Sequence, residues 1–307
     1  MYNMSNNIKE MLSPKNDIIF KKLFGKRGNE EIVKDFLEAI LEMKIKSVEL
    51  GKETQLLPDK IDEKIGILDV RATLDDGSSI DIEMQNINYG NITKRITYYL
   101  NLLYSGELSR GKSYHELNKA IAIGILNFNY FDDIEDYHTV WKMTERNNKN
   151  KTLDEQEIHF IELPKFLKTK VDTKRKLDQW LLFIDYSRKE LLKMAEENNK
   201  VLKEAAVEYE YLTGEEEVQR LAFLRRKFEL DYNSGLQYAE EKGSKKKQIE
   251  IARKSKSKGI DIDIIAEITG LSKEEIEKLW AGMSIFLSWL FSKKGVSYIH
   301  WWRWRYF

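Results

Sequence analysis

Residues 67–85 read ILDVRATLDDGSSIDIEMQ, and few stretches leave a chain less choice of local structure. Apolar and polar side chains alternate on both sides of Asp75-Asp76-Gly77, which is the period of a strand with one buried face. Glycine at the last loop position takes the left-handed conformation that closes a type I turn with a bulge, so the segment is a hairpin with a short loop. Counting outward sets Leu74 opposite Ser78, Arg71 opposite Asp81 and Asp69 opposite Glu83. Leu68, Val70, Ala72, Leu74, Ile80, Ile82 and Met84 then share the core face, while Asp69, Asp81, Glu83 and Gln85 share the other. Opposed strand residues lie about 5 Å apart at Cβ, where like charges destabilise. Asp69 and Glu83 therefore require compensation.

A divalent cation supplies it. Mg²⁺ or Mn²⁺ prefers oxygen ligands, and two carboxylates, the Met84 backbone carbonyl and several waters complete an octahedral shell. Such an ion activates water and stabilises charge on a phosphate oxygen, which suits phosphodiester hydrolysis. A solvated hairpin face, with Arg71 paired to Asp81 and water screening the rest, accounts for the same pattern without an ion. Spacing alone leaves both readings open.

The flanking sequence builds a layered domain around this hairpin. From Asn16 to Met43 the apolar residues recur at helical spacing, and Gly25 and Gly28 divide the run into two helices. Ser47 to Gln55 reads as an edge strand broken at Pro58, and Ile92 to Leu108 is helical again. Ala120 to Leu126, AIAIGIL, is a continuous apolar run typical of a strand covered on both faces. Strand, helix, strand at this spacing implies a crossover between parallel strands, and Thr139–Thr144 and Glu157–Leu163 add two more strands. Residues 1–165 form the α/β domain, and residues 166–240 read as a helical extension.

Lys242 to Lys258 carries eight basic residues against the single acid Glu250. It leads into GIDIDIIAEITGLSKEEIEKL, where a helix, a turn at Thr269-Gly270-Leu271 and a second helix opened by a Ser272–Glu275 capping box make a helix-turn-helix-like pair over residues 241–280. Lys245, Lys246, Lys247, Arg253 and Lys254 are the expected phosphate contacts to DNA. The closing stretch 281–307 ends in WWRWRYF, an abrupt change that reads as a frame-altered or read-through end.

Composition narrows the chemistry. Lysine plus arginine equals aspartate plus glutamate at 51 each, so attraction to nucleic acid must be local. The absence of cysteine removes thiolate nucleophiles and disulfides, and the four histidines fall in no metal-binding spacing. With no secretory signal and no apolar run near the ~20 residues that cross a bilayer, a cytoplasmic protein without a membrane contact is expected.

Asp69, thirteen intervening residues, then Glu83-Met84-Gln85, within this order of elements, resembles the PD-(D/E)XK nuclease superfamily. More narrowly, SPKNDIIFKKLFG (13–25), LDVRATLDDGSSIDIEMQ (68–85), KRITYYLNLLYSGEL (94–108) and IAEITGLSKEEIEKL (265–279) are similar to its recombination-promoting nuclease and transposase branch. The resemblance implies a restriction-endonuclease-like core, a mixed central sheet flanked by helices, followed by a helical C-terminal region. It implies a Mg²⁺-dependent or Mn²⁺-dependent DNA endonuclease acting in DNA recombination, with Asp69 and Glu83 as metal ligands and Gln85 where the superfamily carries lysine. An amide orients water or phosphate but supplies no cation and accepts no proton as an amine does. Lys64, Lys94 and Arg95 are the candidates for that missing charge, and Asp17 on the first helix for an additional acid. Two rival classes keep the same sequence: a catalytically silent nucleic-acid-binding relative, and an interaction protein that uses its helical C-terminal region. A homodimer is compatible with all three.

Overall fold

A computed structural model of the protein describes residues 12–51, 70–106, 108 and 113–279. Asp69 and Lys64, the end of the expected edge strand, and the stretch 281–307 lie outside them. The hairpin forms in the register its turn dictates. Strand β2 (Val70–Leu74) pairs antiparallel with β3 (Ser79–Gln85), with Arg71 opposite Asp81 and Thr73 opposite Ser79. Gly77, at φ +86°, closes the loop, and its N–H donates to the Leu74 carbonyl at 3.0 Å.

Two helices precede the sheet. Helix α1 (Asp17–Phe24) starts where the Asn16 side chain accepts from the Ile18 and Ile19 N–H groups, and α2 (Glu30–Leu41) follows the Gly25–Gly28 break. The edge strand β1 (Val48–Leu50) pairs with β2, and β3 leads through α3 (Ile92–Gly106) to β4 (Ala120–Leu126), parallel to β3. Strands β5 (His138–Thr144) and β6 (Thr152–Glu162) complete a mixed six-stranded sheet in the order β1-β2-β3-β4-β6-β5. Helices α4 (Leu163–Phe166), α5 (Lys176–Asp185), α6 (Lys189–Asn198) and α7 (Lys200–Gly214) follow.

The sheet carries a core on each face. On one, Ile80, Ile82, Met84, Ile121, Ile123, Ile125 and Ile161 join side chains from α1, α2 and α4 to α7, so the helices past residue 165 belong to the same core as the hairpin. Phe24, Phe36 and Trp180 meet there with ring centroids 4.9 to 5.8 Å apart. On the other face, Ile92, Ile96, Leu100 and Leu103 of α3 cover Ala120, Ala122, Leu126 and Phe160. Strand β3 is consequently buried along its whole length, whereas β2 alternates buried and exposed. This overturns the solvated-face reading of the hairpin for β3: Asp81 and Glu83 are each 1% exposed because α3 roofs them.

A first compact unit runs through residue 229, and a second begins at Leu230. Helix α8 (Glu216–Ser257) runs from one into the other, followed by α9 (Ile262–Thr269) and α10 over residues 273–279. In the second unit Ala252, Ile265, Leu271 and Ile276 form a small core. Gly270, at φ +69°, ends α9 in the left-handed conformation, and Ser272 and Glu275 complete the capping box at 3.1 and 3.0 Å. No helix among the described residues is long and apolar enough to cross a membrane.

So small a core makes the cap matter. Ser272→Ala removes one of two reciprocal cap bonds, worth about 1 kcal/mol, and hydrogen exchange of the amides in 273–279 is expected to accelerate roughly fivefold while that of α3 stays unchanged.

Candidate active site

Strand alternation puts Asp81, Glu83 and Gln85 on the α3 face, and the parallel register with β4 sets them level with Ala122, Gly124 and Leu126. The neighbour of Glu83 is therefore a glycine. A Cβ on Gly124 would stand 2.5 Å from Ile96 Cδ1, so the bare backbone is what lets α3 settle so close to the sheet. Arg95, one residue before Ile96, then reaches Glu83, with Nε 3.4 Å from Oε2. Gln85 Nε2 donates to the same oxygen at 3.1 Å. The other oxygen, Glu83 Oε1, is buried with no hydrogen-bond partner among the described residues.

Burial pushes the Glu83 carboxyl above its usual range, and the Arg95 charge and the Gln85 hydrogen bond pull against that rise. Arg95 is itself held, its guanidinium 5.6 Å from the centre of the Tyr99 ring. Burial raises the Tyr99 phenol, with Arg95 opposing the shift and Glu83 and Asp81 adding to it. An unmet buried acceptor costs about 1–3 kcal/mol, more when charged, and natural cores rarely leave one without a use. A hard divalent cation fits this oxygen. Among the described residues no group of three or more His, Cys, Asp or Glu side chains could hold a metal ion.

The other candidates scatter. Lys94 is exposed on α3. Asp17 opens α1, where Asn86 Nδ2 donates to the Lys15 carbonyl at 2.8 Å and so ties the start of that helix to the residue after Gln85. The Asp17 carboxylate itself pairs with Arg225 at 2.6 Å, and burial raises its pKa against the pull of that arginine. Met84 turns its side chain to the opposite core. Lys245, Lys246, Lys247, Arg253 and Lys254 are exposed along α8, with Lys245 paired to Glu275 at 3.0 Å and Lys254 to Glu250 at 2.7 Å.

Two features went unread in the sequence. An isolated glycine inside AIAIGIL signals close approach of another backbone or side chain, and Gly124 is that signal. The second is a polar cluster on the far face of the sheet. Glu157 meets His159 at 2.7 Å, Lys119 at 2.5 Å and Lys142 at 3.0 Å, and His159 Nδ1 lies 2.9 Å from His138 Nε2. Burial and the neighbouring His159 lower the His138 pKa to about 4.

Comparison with known proteins identifies the family of the chain. The family described as PD-(D/E)XK nuclease family transposase matches residues 14–239. The C-terminal HTH domain of the Rpn/YhgA-like nuclease family matches residues 245–279. No curated protein and no solved structure matches the chain.

A carboxyl whose proton affinity rises on folding withdraws stability as pH climbs through its folded value and returns it as pH falls. Glu83→Gln removes that buried charge. The variant is expected to melt higher than the parent at neutral pH in the presence of chelator, by roughly 2–4 °C for each 1 kcal/mol relieved, with the gap closing as pH falls toward the ordinary carboxylate range. A lower melting point at neutral pH would show Glu83 to be a structural ion-pair member.

Proposed function

Because the chain belongs to the PD-(D/E)XK nuclease family transposases, we propose that it is a metal-dependent DNA endonuclease whose site is the β3–α3 face. Asp69 and Glu83, with the Met84 backbone carbonyl, hold Mg²⁺ or Mn²⁺ in this reading. When bound, such an ion supplies Lewis-acid stabilisation of a phosphate oxygen and lowers the pKa of water. The observation that carries the proposal is the orphaned Glu83 Oε1, an anionic oxygen buried with nothing described to satisfy it.

The protein's own groups divide the remaining work. Gln85, donating to Glu83 Oε2, fixes the carboxylate rotamer so that Oε1 is the oxygen left to a ligand. Its amide oxygen can accept from the attacking water and so orient it. Arg95 takes the part of the absent lysine, as a permanent cation near the carboxylate that can meet a non-bridging phosphate oxygen. Its guanidinium also rests 5.6 Å from the centre of the Tyr99 ring, which favours this position of the cation. Arginine accepts no proton, so the water must lose its proton to solvent or to a phosphate oxygen.

DNA is held by the second unit in this proposal. Helix α10 carries Glu274, Glu275 and Glu277 against Lys273 and Lys278, a poor composition for a groove-reading helix. The exposed Lys246, Lys247 and Arg253 of α8 suit phosphates instead. Contacts of that kind give salt-sensitive binding with little sequence preference.

Plasmid nicking in Mg²⁺ or Mn²⁺ tests the reading. Asp69→Ala and Glu83→Gln should each lower the rate at least about a hundredfold, and Arg95→Ala by about ten- to a hundredfold, with Arg95→Lys recovering part of the loss. Equal nicking by parent and variants would place the activity elsewhere. No nicking together with no Mg²⁺ or Mn²⁺ heat in calorimetry would mark a silent DNA-binding relative.

A further inference from the structure

Strand β5 ends the sheet, and among the described residues β6 is its only strand partner. An open edge of seven residues is a template for another strand, and native proteins usually blunt such edges with charge, proline or a covering element. This one carries HTVWKMT, with a break in its register against β6 between Lys142 and Met143, and Val140 and Trp141 lie in the regular part before that break. Its single lysine, Lys142, is turned to Glu157 at 3.0 Å. Val140 is 49% exposed, Trp141 43% and Met143 50%, and Leu153, opposite Met143 on β6, is 56% exposed. Trp141 is already stiffened from behind, stacked on Phe131 with ring centroids 5.2 Å apart and with its Nε1 donating to Thr139 Oγ1 at 3.0 Å.

We propose that a second copy of this chain covers that edge, with the two β5 strands antiparallel about a two-fold axis at Trp141. The sequence itself selects the occupant and the register. Opposed residues of an antiparallel pair are of one kind, both hydrogen-bonded across the gap or both not, and the kinds alternate along the strand. A strand paired with its own copy must then place a residue, not a peptide bond, on the axis. Three residues can serve near the strand centre. An axis at Lys142 opposes two lysines, and one at Val140 brings Glu135, before the strand, toward Glu145, after it, of the other copy. An axis at Trp141 opposes no like charges within the strand, and just beyond the two strand ends it brings exposed Asp136 toward exposed Arg146 of the other copy, once on each side. It also lays Trp141 beside its equivalent, Thr139 beside Met143, and Val140 beside the Lys142 stem. The two sheets would join as one, with two copies of the β3–α3 face related by the same axis. This interface does not depend on the nuclease reading, since it uses no residue of the Glu83 site.

Sedimentation velocity of the full chain across the micromolar range should show a monomer–dimer equilibrium. Trp141→Lys should raise the dimer dissociation constant about thirtyfold or more while the far-ultraviolet circular dichroism stays that of the parent. Asp136→Arg should weaken the dimer several-fold, and adding Arg146→Asp to it should restore the parental constant. Because the chain has no cysteine, register can be read by mild oxidation of Val140→Cys, Trp141→Cys and Lys142→Cys. Only the variant on the axis faces itself at a separation that forms a disulfide, so Trp141→Cys should cross-link fastest. A chain that stays monomeric, a dimer indifferent to Trp141→Lys, or fastest cross-linking at position 140 or 142 would overturn the proposal.

Discussion

Glu83, 1% exposed and met by Arg95 at 3.4 Å, sets the terms for the face on which it lies. A carboxylate does not stay in so dry a place unless the strand that carries it has no alternative register. Strand β3 has none, because it is hydrogen-bonded to β2 on one side and β4 on the other, and a slip by one residue would send Ile80, Ile82 and Met84 to the polar face. The aromatic core of Phe24, Phe36 and Trp180 anchors that opposite face. Hydrophobic burial on one side of the sheet thus offsets an electrostatic cost on the other. Gly124 adds the remaining condition by letting α3 approach until Arg95 is within range.

Burial alone does not mark Glu83 as functional. Glu157 is 7% exposed and lies on the opposite face of the same sheet. There Lys119, Lys142 and His159 surround the carboxylate and hold it far below the usual range, despite the opposing effect of desolvation. Glu83 shifts the other way, because desolvation outweighs the partial compensation from Arg95 and Gln85. Glu157 is a satisfied anion that fastens β6 to β5 and to the start of β4. Glu83 is met on one oxygen only among the described residues, and the difference between them is the count of donors, not depth.

Much of this was legible in the sequence for physical reasons that can be named. The Asp75-Asp76-Gly77 loop fixes the β2–β3 register, and alternation then assigns each side chain to a face. The two helices before the sheet, the apolar β4 strand, and the Ser272–Glu275 cap at α10 follow from equally local rules. What local rules missed was long-range. No spacing in β3 says that α3 will cover Asp81 and Glu83, so a solvated face stayed open until the structure closed it. Lys64, Lys94 and Arg95 looked equivalent as cations, and tertiary packing against Gly124 separated Arg95 from exposed Lys94. The Glu157 cluster joins residues of β5, β6 and the residue before β4, and a linear reading sees only histidines in no metal-binding spacing.

The Gln85 position can be understood by comparing what a lysine there would do. An ammonium two residues from Glu83 on the same strand face would pair with it directly, satisfying the carboxylate from within β3. With glutamine in its place the strand offers only a neutral donor, at 3.1 Å, and the formal charge comes from the next element instead. A guanidinium on α3 is tied to the helix's own seating on the sheet, so the electrostatics of the site and the packing of Ile96 against Gly124 become one variable. Anything that lifts α3 separates Arg95 from Glu83 and leaves the carboxylate less compensated. An element whose position both shields the carboxylate and partly compensates it couples the charge balance of this face to the packing of the helix.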